Sequence, residues 1–413
     1  MAKAQSATST EILPLQPLVN IGIVGHVDHG KTTLTKLLSG KWTDTHSEEK
    51  KRGITIKLGY TNFTVYADDK LTKFSTKKEA GKALKKYSIV DAPGHESFMA
   101  TMISGAAIMD CALLLVAANE KCPQPQTIEH LKTMEISGIN NVIIIQNKID
   151  LITKEEAIEN YNQIKAFLSS TKYKDAPIIP ISAYHGANLS ELLRYIYTNF
   201  HEPKRNLTAN PLAYIVRSFD INKPGDSYAD LKGGVIGGSI KQGTLKLNDK
   251  IEIKPGITIT RDGKTIYQPI EATVEALMSD TDKLNQAVPG GSIAILTKLD
   301  PTLTKSDSLV GQIAGLKGTL PDPLSEFKFE IHLFDKVITS TEEYEVKPII
   351  LTEPLMLIVN SLTTVGTVIK ANPKEATVKS KRSVMAFEGD RVVIFRRFEG
   401  NKWRIIGYGL IRL

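Results

Sequence analysis

Val24-Gly25-His26-Val27-Asp28-His29-Gly30-Lys31-Thr32-Thr33 is the stretch that decides the fold of this chain. From Gly25 to Thr32 it fills the spacing G-x-x-x-x-G-K-[ST]. A largely apolar run, Val19 to Val24, precedes it, and the helically spaced Thr33 to Leu38 follows. Strand, glycine-bearing loop and helix in that order make a polyphosphate cradle. The glycines let successive backbone N–H groups converge, and the helix N-terminus adds its own donors. Lys31 brings a point positive charge to the β and γ phosphates, and the Thr32 hydroxyl is a ligand for Mg2+. Asp28, His29, Gly30 and Thr33 complete the nucleotide contacts expected of this loop. His26 and His29 flanking Asp28 have a second reading as transition-metal ligands. No partner pair follows at ligand spacing, so they are read as shaping the loop.

Later segments narrow the nucleotide. Asp91-Ala92-Pro93-Gly94 follows the strand Tyr87 to Val90, which puts the Asp91 carboxylate at a strand end beside the loop, where it holds Mg2+ through water. The Gly94 N–H is placed to meet a γ phosphate and to be released when that phosphate leaves. Asn147-Lys148-Ile149-Asp150 follows the apolar run Val142 to Ile145. The Asp150 carboxylate accepts from guanine N1–H and the 2-amino group together, two donors that adenine does not present. The Asn147 amide fixes the loop and is a candidate to bond the base, and the Lys148 stem packs on a ring face. Ser182-Ala183, after the strand Ile178 to Ile181, completes the set, with the Ala183 N–H directed at guanine O6. Thr55, in Lys51-Arg52-Gly53-Ile54-Thr55-Ile56, offers a hydroxyl to Mg2+ and an N–H to the γ phosphate, the arrangement of a switch. The alternation from Ile54 to Leu58 equally suits a strand. His95 either orients the attacking water or caps the helix expected over Glu96 to Met109.

Composition excludes several classes. The 413 residues carry a formal charge of +7, which favours anionic partners. The only cysteines, Cys111 and Cys122, cannot build a disulfide framework or a four-cysteine metal site. No run approaches about 18 uninterrupted apolar residues, and residues 1–16 are polar without a signal-like core, so the chain is expected in the cytoplasm with no membrane span.

The pattern changes near residue 205. Before it, strands alternate with helical stretches such as Glu155 to Ser169 and Leu189 to Tyr197, the signature of a mostly parallel α/β sheet covered on both faces. After it come short strands and turns, including Ala213 to Ser218, Gly234 to Lys241, Lys250 to Lys254 and Ser292 to Thr297, which read as a barrel. A further β unit opens past Leu320-Pro321-Asp322-Pro323. The expected plan is a flexible N-terminus over residues 1–16, a nucleotide-binding α/β domain over 17–205, and β-barrel domains over 206–321 and 322–413.

Residues 24–33, Arg52 to Ile56, Asp91 to His95 and Gln146 to Asp150 resemble the translational GTPases of the elongation factor Tu class. Within it, Lys57-Leu58-Gly59-Tyr60, Ala117-Ala118-Asn119-Glu120, Pro123 to Thr127, Arg217 to Gly225 and Leu231 to Ile240 are similar to the gamma subunits of archaeal and eukaryotic translation initiation factor 2. The resemblance runs from about Pro17 to Leu413. It implies a GTPase that cycles between GTP and GDP with Mg2+. It also implies delivery of methionylated initiator tRNA to the small ribosomal subunit, release after hydrolysis, and assembly with alpha and beta subunits. Two other readings stay open: an elongation-factor-like carrier of aminoacyl-tRNA, and a GTP-bound scaffold for partner subunits with little turnover.

One departure from the resembled family concerns zinc. Many of its members carry a four-cysteine zinc knuckle before the Asp91 strand, whereas Thr61 to Ser88 holds no cysteine, so no zinc is expected. The insert is lysine-rich from Lys70 through Lys86 and is expected to stand out as an exposed excursion.

Three regions are candidates for tRNA. The Gly233 to Gly238 stretch beside Lys232 either admits an acceptor end or serves a tight barrel corner. Lys379, Lys381, Arg382, Arg391, Arg396, Arg397, Lys402 and Arg404 make the last unit basic, for phosphate contact or for solvation. Lys50-Lys51-Arg52 beside the switch either couples to RNA or keeps a loop soluble.

Overall fold

The computed structural model describes residues 14–43, 55–223, 225, 231–261, 264–338, 343–398 and 402–413. Its first unit is a seven-stranded sheet. Its strands are β1 (Asn20–Gly25), β2 (Gly59–Ala67), β3 (Phe74–Ser75), β4 (Lys82–Asp91), β5 (Cys111–Ala117), β6 (Asn141–Asn147) and β7 (Ile178–Pro180), in the spatial order β3-β2-β4-β1-β5-β6-β7. From β4 to β7 every pairing is parallel; β2 and β3 extend one edge antiparallel.

Burial on both faces explains the apolar strands. All seven residues of β5 are buried, because alternate side chains face opposite helical layers. Ile21, Ile23, Leu113 and Ile143 pack with Leu34 and Leu38 of α1 (Lys31–Ser39) and with Leu192 and Ile196 of a later helix, Leu189–Asn199. Val24, Val90, Leu114 and Ile144 face the other layer. It contains α2 (Met99–Ala106), α3 (Pro125–Ile136) and α4 (Lys154–Leu168); the Leu189–Asn199 helix is α5. Thr153 and Glu156 form a reciprocal capping box at the start of α4. The helix expected over Glu96 to Met109 is shorter, a 3-10 turn at Glu96–Phe98 running into α2. Residues 55–58, expected to continue a strand, lie outside any strand; β2 begins at Gly59.

The next unit closes six antiparallel strands into a ring: Lys250–Arg261, Ile313–Leu316, Leu212–Phe219, Val235–Gln242, Ile293–Thr297 and Lys264–Ser279, the last pairing with the first. The final unit is a second closed six-strand barrel, from Leu324–Leu333 to Lys402–Arg412. One apolar cluster joins α2 and α3 to Tyr214 and Val216 of the first barrel and to Ile358, Phe395 and Ile405 of the second. Three units therefore share an interior.

One expectation is corrected here and another refined. Gln16, placed in the flexible N-terminus, is buried; its amide donates to the Val288 and Gly290 carbonyls and accepts from the Val288 N–H, tying the chain start to the first barrel. Residues 1–13 lie outside the described part. The lysine-rich insert is exposed at residues 69–73, 77–79 and 81–82, as expected, but it is anchored to the body. It prolongs β2 and β4, and the Phe74 N–H donates to Ser190 Oγ on α5 at 2.9 Å. Lys85 pairs with Glu202, and Lys86 with Asp282 of the first barrel.

Candidate functional site

Register brings the site together. Ile23 pairs with Asp91, Gly25 with Leu115 and Ala117 with Asn147, so the loop after β1, Asp91 and the Asn147 segment all leave the same edge of the sheet. Ligands of open α/β sheets bind in this place, outside the carboxyl ends of the strands.

Asp28, Gly30, Lys31, Thr32, Thr33, Thr55, Gly94, His95 and Lys148 line one cavity of about 260 Å3. The loop winds through left-handed backbone at Asp28 (φ 60°) and Gly30 (φ 91°). At Gly30 a methyl would come within 2.3 Å of Asn147 Nδ2, so both conformation and space require glycine. Lys31 is buried, and its Nζ donates to the His26 carbonyl at 2.6 Å. Gly94 packs on the same ammonium: a methyl there would meet Lys31 Nζ at 2.3 Å and Gly25 O at 2.8 Å.

Of the residues expected to hold Mg2+, two hydroxyls lie together in the cavity and the third residue ends β4. Thr32 Oγ1 lies 3.2 Å from Thr55 Oγ1, and the fully buried Asp91 accepts from Thr43 Oγ1 at 2.7 Å. The two hydroxyls are oxygen donors of the kind a hard cation takes, while Asp91 is not among the residues that line the cavity. His95 lines the cavity, and its Nδ1 also accepts from the Ser97 N–H at 3.2 Å, so the capping geometry and the cavity position coexist.

Asn147 is the junction of the site. Its Nδ2 donates to the His29 carbonyl at 2.8 Å and its Oδ1 accepts from the Ala183 N–H at 2.9 Å. One buried amide thus clamps the phosphate loop, the end of β6 and the Ser182-Ala183 segment. The Ala183 N–H, expected at guanine O6, is directed to this amide instead. Lys148 adopts left-handed backbone (φ 64°), which turns the chain so that Asp150 follows on a 3-10 turn. The Ser182 hydroxyl bonds the Asp150 carboxylate and holds it below the usual carboxylate range, helped by His185, whose Nε2 lies 3.8 Å away, and by Lys148.

His29 fits the reading that it shapes the loop. Its ring is fully buried beneath the loop, with Nδ1 2.9 Å from the Leu115 carbonyl and Nε2 3.4 Å from Glu120 Oε2, leaving only its backbone near the phosphate side. Burial lowers the pKa of this ring and of His26, whose ring meets it edge-on at 5.1 Å. Sequence reasoning missed a third histidine. His130, on α3 and fully buried, accepts the Gly25 N–H on Nδ1 at 2.9 Å, and burial holds it well below its ordinary pKa. A lone histidine on an apolar helix face gives no sequence signal. Nor did Thr43 or Trp42, which lines the cavity under Lys36.

The RNA candidates sort unevenly. Methyls at Gly233 and Gly238 would strike the Thr297 and Tyr214 carbonyls, each at 1.8 Å, so these glycines are spent on barrel closure; Gly237 has room. Arg396 pairs with Glu353, Arg404 with Glu129, Arg391 donates to the Ile136 carbonyl, and Arg397 stacks on Trp403 at 4.9 Å. Lys379, Lys381 and Arg382 are not among these ties, and all three are exposed. Lys50-Lys51-Arg52 lies outside the described residues. Burial pushes the Cys111 and Cys122 thiols up to about 12, so neither is a thiolate. No helix among the described residues is long and apolar enough to cross a membrane.

Comparison with known proteins agrees with this geometry. Residues 16–202 match the elongation factor Tu GTP binding domain, and residues 325–411 match the C-terminal domain of initiation factor eIF2 gamma. Translation initiation factor 2 subunit gamma of Methanococcus maripaludis is 51% identical over 411 residues, covering 96% of this chain and 98% of the relative. That of Methanocaldococcus jannaschii is 48% identical over 417 residues, covering all of both. Among solved structures, a bacterial selenocysteine-specific elongation factor superposes with a TM-score of 0.73 at 23% identity. It matches 96% of this chain, which spans 58% of that longer one. Elongation factor SelB of M. maripaludis with the GTP analogue GppNHp gives 0.72 at 24%, over 96% and 79% of the two chains.

Proposed function

Since the chain belongs to the gamma-subunit family of translation initiation factor 2, and is thereby a translational GTPase acting in initiation, we propose that it carries methionylated initiator tRNA to the small ribosomal subunit in its GTP state and lets go after hydrolysis, as the nucleotide-binding core of a heterotrimer with alpha and beta subunits. The observation that supports this reading best is the 3.2 Å approach of Thr55 Oγ1 to Thr32 Oγ1, because it joins the switch segment that holds Thr55 to the phosphate loop. A segment held by the triphosphate end of the nucleotide is freed when that end leaves.

Each residue has a task in that cycle. The loop N–H groups and Lys31 neutralise the β and γ phosphates, and Gly94, packed on the Lys31 ammonium, senses the γ position. Thr32, Thr55 and Asp91 are the residues that would hold Mg2+, which when bound offsets charge on the β and γ oxygens. His95 orients the water that attacks the γ phosphorus: with Nδ1 engaged by the Ser97 N–H, its Nε2 carries the proton and the ring is fixed beside the cavity. Asp150 reads the guanine edge, and Asn147 with Ser182 and Ala183 holds that reader in place.

The test is retention of charged tRNA by the full chain, alone and with candidate alpha and beta subunits, after loading with GTP or GDP. Initiator methionyl-tRNA retained in the GTP state and lost in the GDP state is the expected result. Equal retention of elongator aminoacyl-tRNA would favour an elongation-type carrier. Assembly with subunits but no nucleotide-dependent tRNA retention would favour a scaffold.

A further inference from the structure

Behind the phosphate loop the structure holds a path that none of the motifs contains. Helix α3 presents Glu129 and His130 as sequence neighbours in two directions. His130 points inward, is fully buried, and accepts the Gly25 N–H on Nδ1 at 2.9 Å; its Nε2 has no partner among the described residues. Glu129 points outward and pairs at 3.0 Å with Arg404, on the last strand of the second barrel, in a contact where both side chains are largely buried. The same barrel holds the far end of the helix, where Arg391 donates to the Ile136 carbonyl. Gly25, the last residue of β1, lies close against β5: a methyl there would be 2.5 Å from the Leu115 carbonyl.

We propose that His130 is a positioning residue for nucleotide binding, and that Arg404, Glu129 and His130 form a relay through which the second barrel sets the first N–H of the phosphate loop. The requirement is chemical. Gly25 opens the loop, and its N–H is buried against an imidazole nitrogen that accepts only while the ring is neutral with its proton on Nε2. If the acceptor is lost, a buried donor stays unsatisfied and the loop rearranges to find another partner. If α3 shifts at the Arg404 contact, His130 shifts with it, because both neighbours ride on one turn of helix. A displacement of the second barrel therefore changes the grip on phosphate without any barrel residue touching nucleotide.

The relay presupposes guanine nucleotide in the cavity, and the experiment separates the two ideas. Release of fluorescent GDP from the full chain is followed by stopped flow for the wild type, His130→Leu, His130→Asn, Arg404→Gln and the double variant His130→Leu with Arg404→Gln, with thermal melts to establish folding. A wild type that binds no labelled GDP would remove the nucleotide site itself. With binding intact, His130→Leu is expected to release GDP about tenfold to a hundredfold faster. His130→Asn, whose Oδ1 restores an acceptor near Nδ1, is expected within about threefold of the wild type on the same grounds. Arg404→Gln is expected to accelerate release less, and the double variant no more than His130→Leu alone. Equal rates for His130→Asn and His130→Leu would overturn the acceptor role, and additive effects in the double variant would overturn the relay. Should His130→Leu not fold, ring-nitrogen NMR of the wild type decides the acceptor role: the proton must sit on Nε2, and a proton on Nδ1 refutes it.

Discussion

Replacing Asn147 by alanine should cost more than any contact it makes with a nucleotide base, because its amide bonds the protein to itself. The side chain is 2% exposed, with Nδ2 at 2.8 Å from the His29 carbonyl and Oδ1 at 2.9 Å from the Ala183 N–H. Truncation leaves one acceptor and one donor buried without partners, at about 1–3 kcal/mol each, so about 2–6 kcal/mol in all, divided between fold stability and nucleotide affinity. Even the lower figure, taken entirely from binding, weakens GDP by about thirtyfold. Asn147→Asp keeps the acceptor for Ala183 and sets a carboxylate against the His29 carbonyl, so it should fail at the loop end alone. Because the lost bonds run between protein segments, both variants should weaken guanosine and inosine diphosphates by the same factor. Calorimetric titration with the two nucleotides, beside melts of the nucleotide-free protein, measures each part. An Asn147→Ala protein that binds GDP within about threefold of the wild type and melts at the same temperature would refute the clamp.

Four further outcomes follow from the site. His95→Ala should slow ribosome-stimulated single-turnover hydrolysis by about 10^2-fold or more while leaving GTP affinity nearly intact, and an unchanged stimulated rate would end its water-orienting role. Asp150→Asn sets a donor against the guanine amino group, so competition binding should show weaker GTP and a gain for xanthosine triphosphate; retained GTP preference would contradict the base-reading assignment. Gly94→Ala puts a methyl 2.8 Å from the Gly25 carbonyl and 2.9 Å from the Val27 nitrogen; it should reduce hydrolysis at least about tenfold and disturb GDP affinity less, as steady-state rates and GDP titration would report. The pKa of His130 is lowered by burial, so the unfolded chain takes up its proton first as pH falls below about 6.5. Its contribution to stability is therefore present above that pH and declines below it, by up to about 1.4 kcal/mol per pH unit, and His130→Asn should remove one proton from the slope of denaturant-derived stability against pH.

The sequence by itself determined whatever chemistry depends on neighbours in the chain. A phosphate cradle is a strand, a loop and a helix start in succession, so Gly25 to Thr33 could be read directly. Asp91 at the end of β4 and Asn147 at the end of β6 were legible because a buried parallel strand is an apolar run and its end is where polarity returns. The α/β-then-β division followed from the change of hydrophobic period near residue 205.

Only the tertiary structure decided which partner each polar group takes. Sequence spacing does not state that Ala117 lies beside Asn147, so it could not show that the Asn147 amide would claim the Ala183 N–H, or that His29 would turn beneath its own loop. Nor could it separate glycines that admit a ligand from Gly233 and Gly238, which admit the barrel's own carbonyls, or basic residues that face solvent from Arg391, Arg396 and Arg404, which bind the protein to itself. Local motifs carry their geometry in bond lengths and backbone angles. Contacts across 105 residues, such as His130 with Gly25, depend on strand register and on how helices seat over the sheet, and those are set by the packing of the whole interior.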